Sequence, residues 1–289
     1  MIAARVNAER LALLAWPRAI LLQLAHPLVA AGVAEHSSFR EGRLTAAVRL
    51  HHTVRAMLSL TFGTAEARSA TLGRINAIHR RVNGRLRDAA GPYPAGTPYS
   101  AEDPELLRWV HATLLDSVPL VYGLLVAPLA QDDRDAYCRE AAPVARGLGV
   151  DEGLPASWQE LRGYMDRMYG SGCLAVSGEA RALARAVLRP PFAPVVAPAA
   201  HVIRLFTVGF LPADLRAQYG FGWRERDERA LGRWVQMLRA ARRAAPDALA
   251  LWPEARRLRP LASAPRRDGR RTHLPIGRSR PPPDSCRAR

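Results

Sequence analysis

An all-α fold is predicted by three features of the chain. Apolar residues recur at helical spacing, strand-like alternation of useful length is missing, and Pro, Gly and Asp stand where helices start or stop. With 289 residues, 48% of them hydrophobic, the chain can bury one large core or two modest ones. The mean hydropathy of -0.13 is too high for a disordered chain, and the apolar runs are too often interrupted by Arg for a membrane bundle.

Pro17 fits the first turn of a helix running through Leu21, Leu22 and Leu24, and Pro27 kinks or restarts it. A second helix is expected from about Arg43 to Leu60, with Val48, Leu50, Val54, Met57 and Leu58 apolar and Gly63 closing it. A third starts near Thr64 and runs to about Leu86, with Leu72, Ile75, Ile78, Val82 and Leu86 on one stripe. Gly91 to Ser100 reads as a turn-rich loop. Asp103 as N-cap and Pro104 at the first helical position then open a helix through Leu107, Val110, Leu114 and Val118. Further helices are expected at 132–147, 157–169, 178–188, 199–208, 212–219 and 226–244. These elements form a single multi-helix domain over residues 1–253, followed by a 254–289 tail.

The formal charge of +16 suggests nucleic acid or a membrane until the basic residues are read one by one. All 42 are Arg, which reflects coding bias as much as a phosphate-binding surface. Eleven Arg against Glu254, Asp268 and Asp284 put 8 of the 16 net charges in the last 36 residues. That Arg- and Pro-rich tail lacks an apolar period and is expected to be disordered. It could touch a membrane peripherally, whereas the domain carries only a mild positive excess and no expectation of specific nucleic-acid binding. Cys138, Cys173 and Cys286 form no CxxC or even-numbered framework, so structural disulfides and a Cys-built metal site are not expected. The apolar stretch Ala19 to Ala34 is interrupted by Gln23, His26 and Pro27 and is shorter than the ~20 residues of a transmembrane span. It reads as a buried helix of a cytoplasmic protein.

Several reaction classes are excluded by motif. Without lysine there is no Walker loop, and Gly147, Gly149 and Gly153 miss the GxGxxG spacing. No ExxH pair, HExxH, HxxxH or GxSxG occurs, which removes di-iron bundles, zinc helices and the hydrolase elbow.

What remains is an uneven distribution of histidine. Of the eight, His26, His36, His51, His52, His79 and His111 all lie in the first 111 residues. A single His on an apolar stripe is more often a satisfied core residue than a ligand. Several together shift the balance. His79, beside Ile75, Ile78 and Val82, needs a partner that is either a heme iron or a backbone carbonyl on a facing helix. His111, between Val110 and Leu114, is placed alike, and local pattern does not rank the two. Arg49, His52 and Thr53 share one helix face, where they could hold a carboxylate and line a distal pocket, or could be a solvated Arg beside an interior Thr.

Taken together, Leu24-Ala25-His26-Pro27, Gly32, His36-Ser37, Arg49 with Thr53, Leu60-Thr61-Phe62-Gly63, Ile78-His79 with Val82 and Gly84, Tyr99-Ser100-Ala101, Asp103-Pro104 and Trp109-Val110-His111 resemble the MpaB-type oxygenase family. That family is also known as the rubber oxygenase, or latex-clearing-protein-like, catalytic domain, and the resemblance covers about residues 10 to 250. It implies an all-helical fold with a globin-like core, a b-type heme, and oxygenation of a hydrophobic, isoprenoid or unsaturated lipid-like substrate by dioxygen. By the same resemblance His79 is the proximal iron ligand, with Arg49 and Thr53 near the heme on the distal side. His52 then stands where rubber-cleaving relatives can carry a lysine. His26, Glu35 and His36 are candidates for the pocket wall or a catalytic base, and His111 matches a motif without an assigned role. Two alternatives stay open: a heme-binding sensor or carrier without turnover, and a helical scaffold whose Arg-rich tail binds anions.

Overall fold

The computed structural model describes residues 1–36, 43–188 and 197–257, with the side chains of 43–50, 197 and 198 outside that description. The fold is all-α, as the periodicity predicts. The chain opens with α1 (Ile2–Asn7), a 3-10 turn (Arg10–Ala15), α2 (Trp16–Leu24) and α3 (Pro27–His36). The long α4 (Arg43–Phe62) and α5 (Ala65–His79) follow. A two-stranded antiparallel sheet of β1 (Asn83–Arg85) and β2 (Pro98–Ser100) leads to α6 (Pro104–Leu125), α7 (Gln131–Gly147), α8 (Trp158–Gly170) and α9 (Gly178–Leu188). The last elements are α10 (Ala197–Gly209), α11 (Ala213–Gln218), α12 (Glu225–Ala244), α13 (Asp247–Ala250) and α14 (Pro253–Arg257).

α6 forms the axis of the core. Asp103 accepts a hydrogen bond from the Glu105 N–H at 2.9 Å, so the cap read from sequence starts this helix. Its apolar positions recur on nearly every side, and Trp109, Leu115, Val121 and Leu125 are all within 2% of full burial. α2, the 3-10 turn, α7, α8 and α12 surround it. The apolar stretch around residues 19–34 divides at Ala25-His26 into α2 and α3, which bend by 108° because Pro27 begins a new helix. No single described helix is long and apolar enough to cross a membrane.

The end of α5 corrects the sequence reading. Thr64 caps the helix by accepting from the Ala67 N–H at 3.3 Å, as expected, but the helix stops at His79 rather than near Leu86. Gly84 pairs with Tyr99 in the sheet and the Leu86 N–H bonds to the Thr97 carbonyl, so this stretch finds its partners across a hairpin-like loop. Val82 therefore does not extend the helical stripe, and Ile78 is 62% exposed.

Contacts group Met1–Leu258 as one compact unit. Within it α14 packs Ala255 beside Ala8 and Leu251. The tail expected to be disordered from residue 254 is corrected at its start, because residues 254–257 belong to α14 and bury Ala255; residues from 258 onward lie outside the described residues.

Candidate functional site

A cavity of about 880 Å³ lies between α1, α2, α4, α5, α6 and α7. Its walls are largely aliphatic, with Ile20, Met57, Leu60, Leu72, Ile75 and Leu115 among them. Helical spacing explains why: Met57 and Leu60 on α4 and Leu72 and Ile75 on α5 each lie about one turn apart, so each helix turns one apolar edge inward. Polar groups at the wall come from distant parts of the chain: Asn7, Gln23, Thr53, Thr61, Arg68, Ser69, His111, Tyr137 and Glu140. Glu140 accepts from the Ala3 N–H at 2.8 Å, and Asn7 donates to Thr61 at 3.3 Å, so α1 is tied to both sides.

The structure brings Thr53 and His111 together on this cavity. His111 is a neutral imidazole there, since burial pushes its pKa down to about 4. Its Nε2 is buried with no hydrogen-bond partner. His79 is not among the lining residues but stands one helical turn beyond Ile75, which is. Its Nδ1 is likewise buried without a partner, and burial lowers its pKa against the opposing field of Glu102. His52 is exposed beside His51, whose ring centroid lies 6.0 Å away. The Arg49 side chain lies outside the described residues.

The histidines and carboxylate upstream are engaged elsewhere. His36 Nε2 lies 3.0 Å from the Asn83 carbonyl oxygen. Glu35 accepts from the Tyr99 hydroxyl and, at 2.8 Å, from Arg87 Nε; these bonds, Tyr99 first, hold its carboxyl below the usual range. Gly84 makes room for this contact, because a Cβ there would stand 2.6 Å from the Tyr99 hydroxyl. His26 Nε2 meets the Tyr93 hydroxyl at 3.0 Å, and His26 does not line the cavity.

Sequence reasoning missed Gln23, which entered only as an interruption of an apolar stretch. Its amide orientation follows from its neighbours. Thr113 Oγ1 gives its proton to the Val110 carbonyl at 2.7 Å and can only accept from Gln23, whose Nε2 lies 3.1 Å away.

Across residues 4–242 the chain matches the family described as ER-bound oxygenase mpaB/B'/Rubber oxygenase, catalytic domain. The chain belongs to this family. No curated protein and no solved structure matches it significantly. The oxygenase domain so defined begins within α1 and ends within α12, and includes the whole of α2, α4, α5, α6 and α7 around the cavity. Among its described residues no group of three or more His, Cys, Asp or Glu assembles as a metal site. Its candidate ligands are thus single imidazoles.

The oxygenase domain carries a pH signature away from the cavity. Burial pushes the His26 pKa down to about 4, against the opposing pull of Asp103. A free histidine titrates near 6.5, so between these values the unfolded chain takes up a proton that the folded one refuses. Stability from His26 is therefore complete above pH ~6.5 and falls as the pH drops toward 4. Between pH 7 and pH 5 the loss is about 2 kcal/mol. His111, lowered alike, and His79 add their own losses, so urea unfolding at both pH values is expected to show a loss about 2 kcal/mol smaller in His26→Gln than in the unsubstituted chain. An equal loss in both proteins would place the titrating group elsewhere.

Proposed function

We propose that this domain is a heme b-dependent oxygenase acting on a hydrophobic, isoprenoid or unsaturated lipid-like substrate. The observation that carries this reading is the aliphatic cavity of about 880 Å³, walled by α4 and α5, the two helices that bear Thr53 and His79. Ligand sites of this kind are concave, mostly apolar and supplied with a few convergent polar groups. What supports a heme is chemical: His79, one helical turn beyond Ile75 of the wall, has a buried ring nitrogen without a protein partner. A buried imidazole nitrogen without a protein partner, as in His79, is the donor that a ferric or ferrous iron takes. Bound there, heme would supply the activation of dioxygen.

The chain's own residues would do the rest. His79 would hold the iron from the last turn of α5, and Arg49 and Thr53 would stand on the facing helix α4. The aliphatic wall admits an alkene and excludes water, and dioxygen, itself apolar, partitions into the same space. A second reading exchanges the two histidines: His111 lines the cavity and has no hydrogen bond, so it too offers a nitrogen to iron.

Titration of the full chain with hemin is expected to produce a Soret band at one heme per chain, and oxygen uptake is expected when an unsaturated isoprenoid is added. A protein that stays colourless with excess hemin overturns the reading. Heme binding without oxygen uptake on any unsaturated lipid points to a carrier or sensor instead.

A further inference from the structure

We infer that the outward face of α12 docks on an anionic lipid bilayer. α12 turns one apolar edge to the core, where Leu231 is buried and Ala230, Trp234, Val235 and Leu238 pack beside it. On a helix wheel of about 100° per residue, Arg226, Arg229, Arg233, Met237 and Arg243 fall on the other side, within about 120° of one another. All five are exposed, Met237 at 50%. None of these four arginines makes a hydrogen bond or an ion pair among the described residues. Arg242, next in the chain to Arg243 but turned inward, is by contrast held by both carboxylate oxygens of Glu9 at 2.7 Å. From Arg229 to Pro246 there are five arginines and no acidic residue, which is five of the eight net positive charges outside residues 254–289. The one acid of α12 on the outward side, Glu225, stands in the first turn, where a carboxylate suits the helix N-terminus.

A single exposed methionine needs no explanation, but one ringed by unpaired arginines matches a bilayer interface. There the guanidinium groups stay with the lipid phosphates, while their aliphatic stems and the Met237 thioether enter the acyl boundary. Ala240 and Ala244 lie on the same side and let the helix axis approach the surface closely. Beyond α12 the chain adds Leu249, 67% exposed, and the exposed Arg256 and Arg257. A nucleic acid would meet the same arginines, but this face offers no aromatic side chain to a base and would set Met237 and two alanines against a polar backbone. Through Arg242 and Glu9 the helix is tied to the chain two residues from Asn7 of the cavity wall, so docking brings the cavity to a surface where lipid-like molecules reside.

The test is sedimentation of the full chain with vesicles of phosphatidylcholine alone and of equal parts phosphatidylcholine and phosphatidylglycerol. Binding is expected only with the charged vesicles, and it is expected to weaken as salt is raised. Each arginine near such a surface is worth about fivefold in affinity, so Gln at Arg226, Arg229, Arg233 and Arg243 together is expected to weaken binding on the order of a hundredfold. Met237→Ser is expected to weaken it about tenfold and to leave the salt dependence unchanged. A full-length variant with Gln at the nine arginines after residue 258 separates the tail, and its loss is expected to be smaller than that of the α12 variant. Protection of Arg229 and Arg233 from phenylglyoxal by charged vesicles, read by mass spectrometry on the unsubstituted chain, gives the footprint without any variant.

Equal sedimentation with the two kinds of vesicle overturns the inference, as does undiminished binding in the α12 variant or complete loss in the tail variant. So does tighter binding of a mixed-sequence DNA duplex that the same four substitutions abolish, which would make the face a nucleic-acid surface. Sedimentation reads neither heme nor turnover, so the bilayer face stands or falls apart from the oxygenase reading.

Discussion

Alanine at position 79 is expected to cut the heme content of the purified protein by at least an order of magnitude. Loss of a residue that merely orients a metal ligand costs about 10- to 100-fold in metal affinity, so loss of the ligand itself costs no less. The His79 Nδ1 has no protein partner to lose, so the substitution removes little besides the proposed iron bond. His111→Ala is the control, because its imidazole is equally free of hydrogen bonds and directly lines the cavity. It is expected to retain a normal ratio of Soret to protein absorbance. The comparison is made on proteins expressed under identical heme supply. If His111→Ala is colourless and His79→Ala is not, the iron sits on α6.

Asp116→Ala is expected to be the most destabilising single change outside the cavity, by about 3–5 kcal/mol. Arg18 and Asp116 are 6% and 3% exposed and meet at 2.7 Å, joining α2 to α6 inside the core. Arg18 also donates to Ser117 at 2.6 Å and to the Phe210 carbonyl at 2.8 Å, and Asp116 accepts from Arg162 at 2.9 Å. Removing the carboxylate strands a guanidinium among apolar side chains with no countercharge of comparable burial. The double variant Arg18→Met with Asp116→Leu removes both charges and is expected to recover much of the loss, since well-packed apolar replacements often match a buried ion pair. Urea midpoints of the three proteins check this. A loss of under 1 kcal/mol in Asp116→Ala would show that Arg162 and solvent compensate for the missing charge.

The helices were legible because their signals are local. Thr64, Asp103 and Pro104 announce helix starts within a few residues of where the backbone turns, and the structure places caps at both sites. The end of α5 was misread because Ile75, Ile78 and Val82 keep helical spacing past the true stop. Asn83-Gly84 is a turn signal, but what makes it decisive is pairing with β2, and that partner is remote in sequence. Distance along the chain also hid Gln23 and the Arg18–Asp116 pair. Each polar residue by itself looks like an interruption of an apolar run, and only the crossing of α2 with α6 gives it a partner. The candidate site was half legible for the same reason: Thr53 and His111 could be singled out by type, but their meeting at one cavity depends on how six helices pack.

Met1 gives the cavity a practical handle. The residue is 84% exposed and yet belongs to the wall, and the Ala3 N–H donates to Glu140 of α7. Whatever is joined to the amino end therefore lies beside that wall. A purification tag fused there would sit in the path of incoming molecules, while a single fluorophore placed there would report their arrival. Tags for uptake and turnover assays belong at the carboxyl end, and the amino end is the place for a probe.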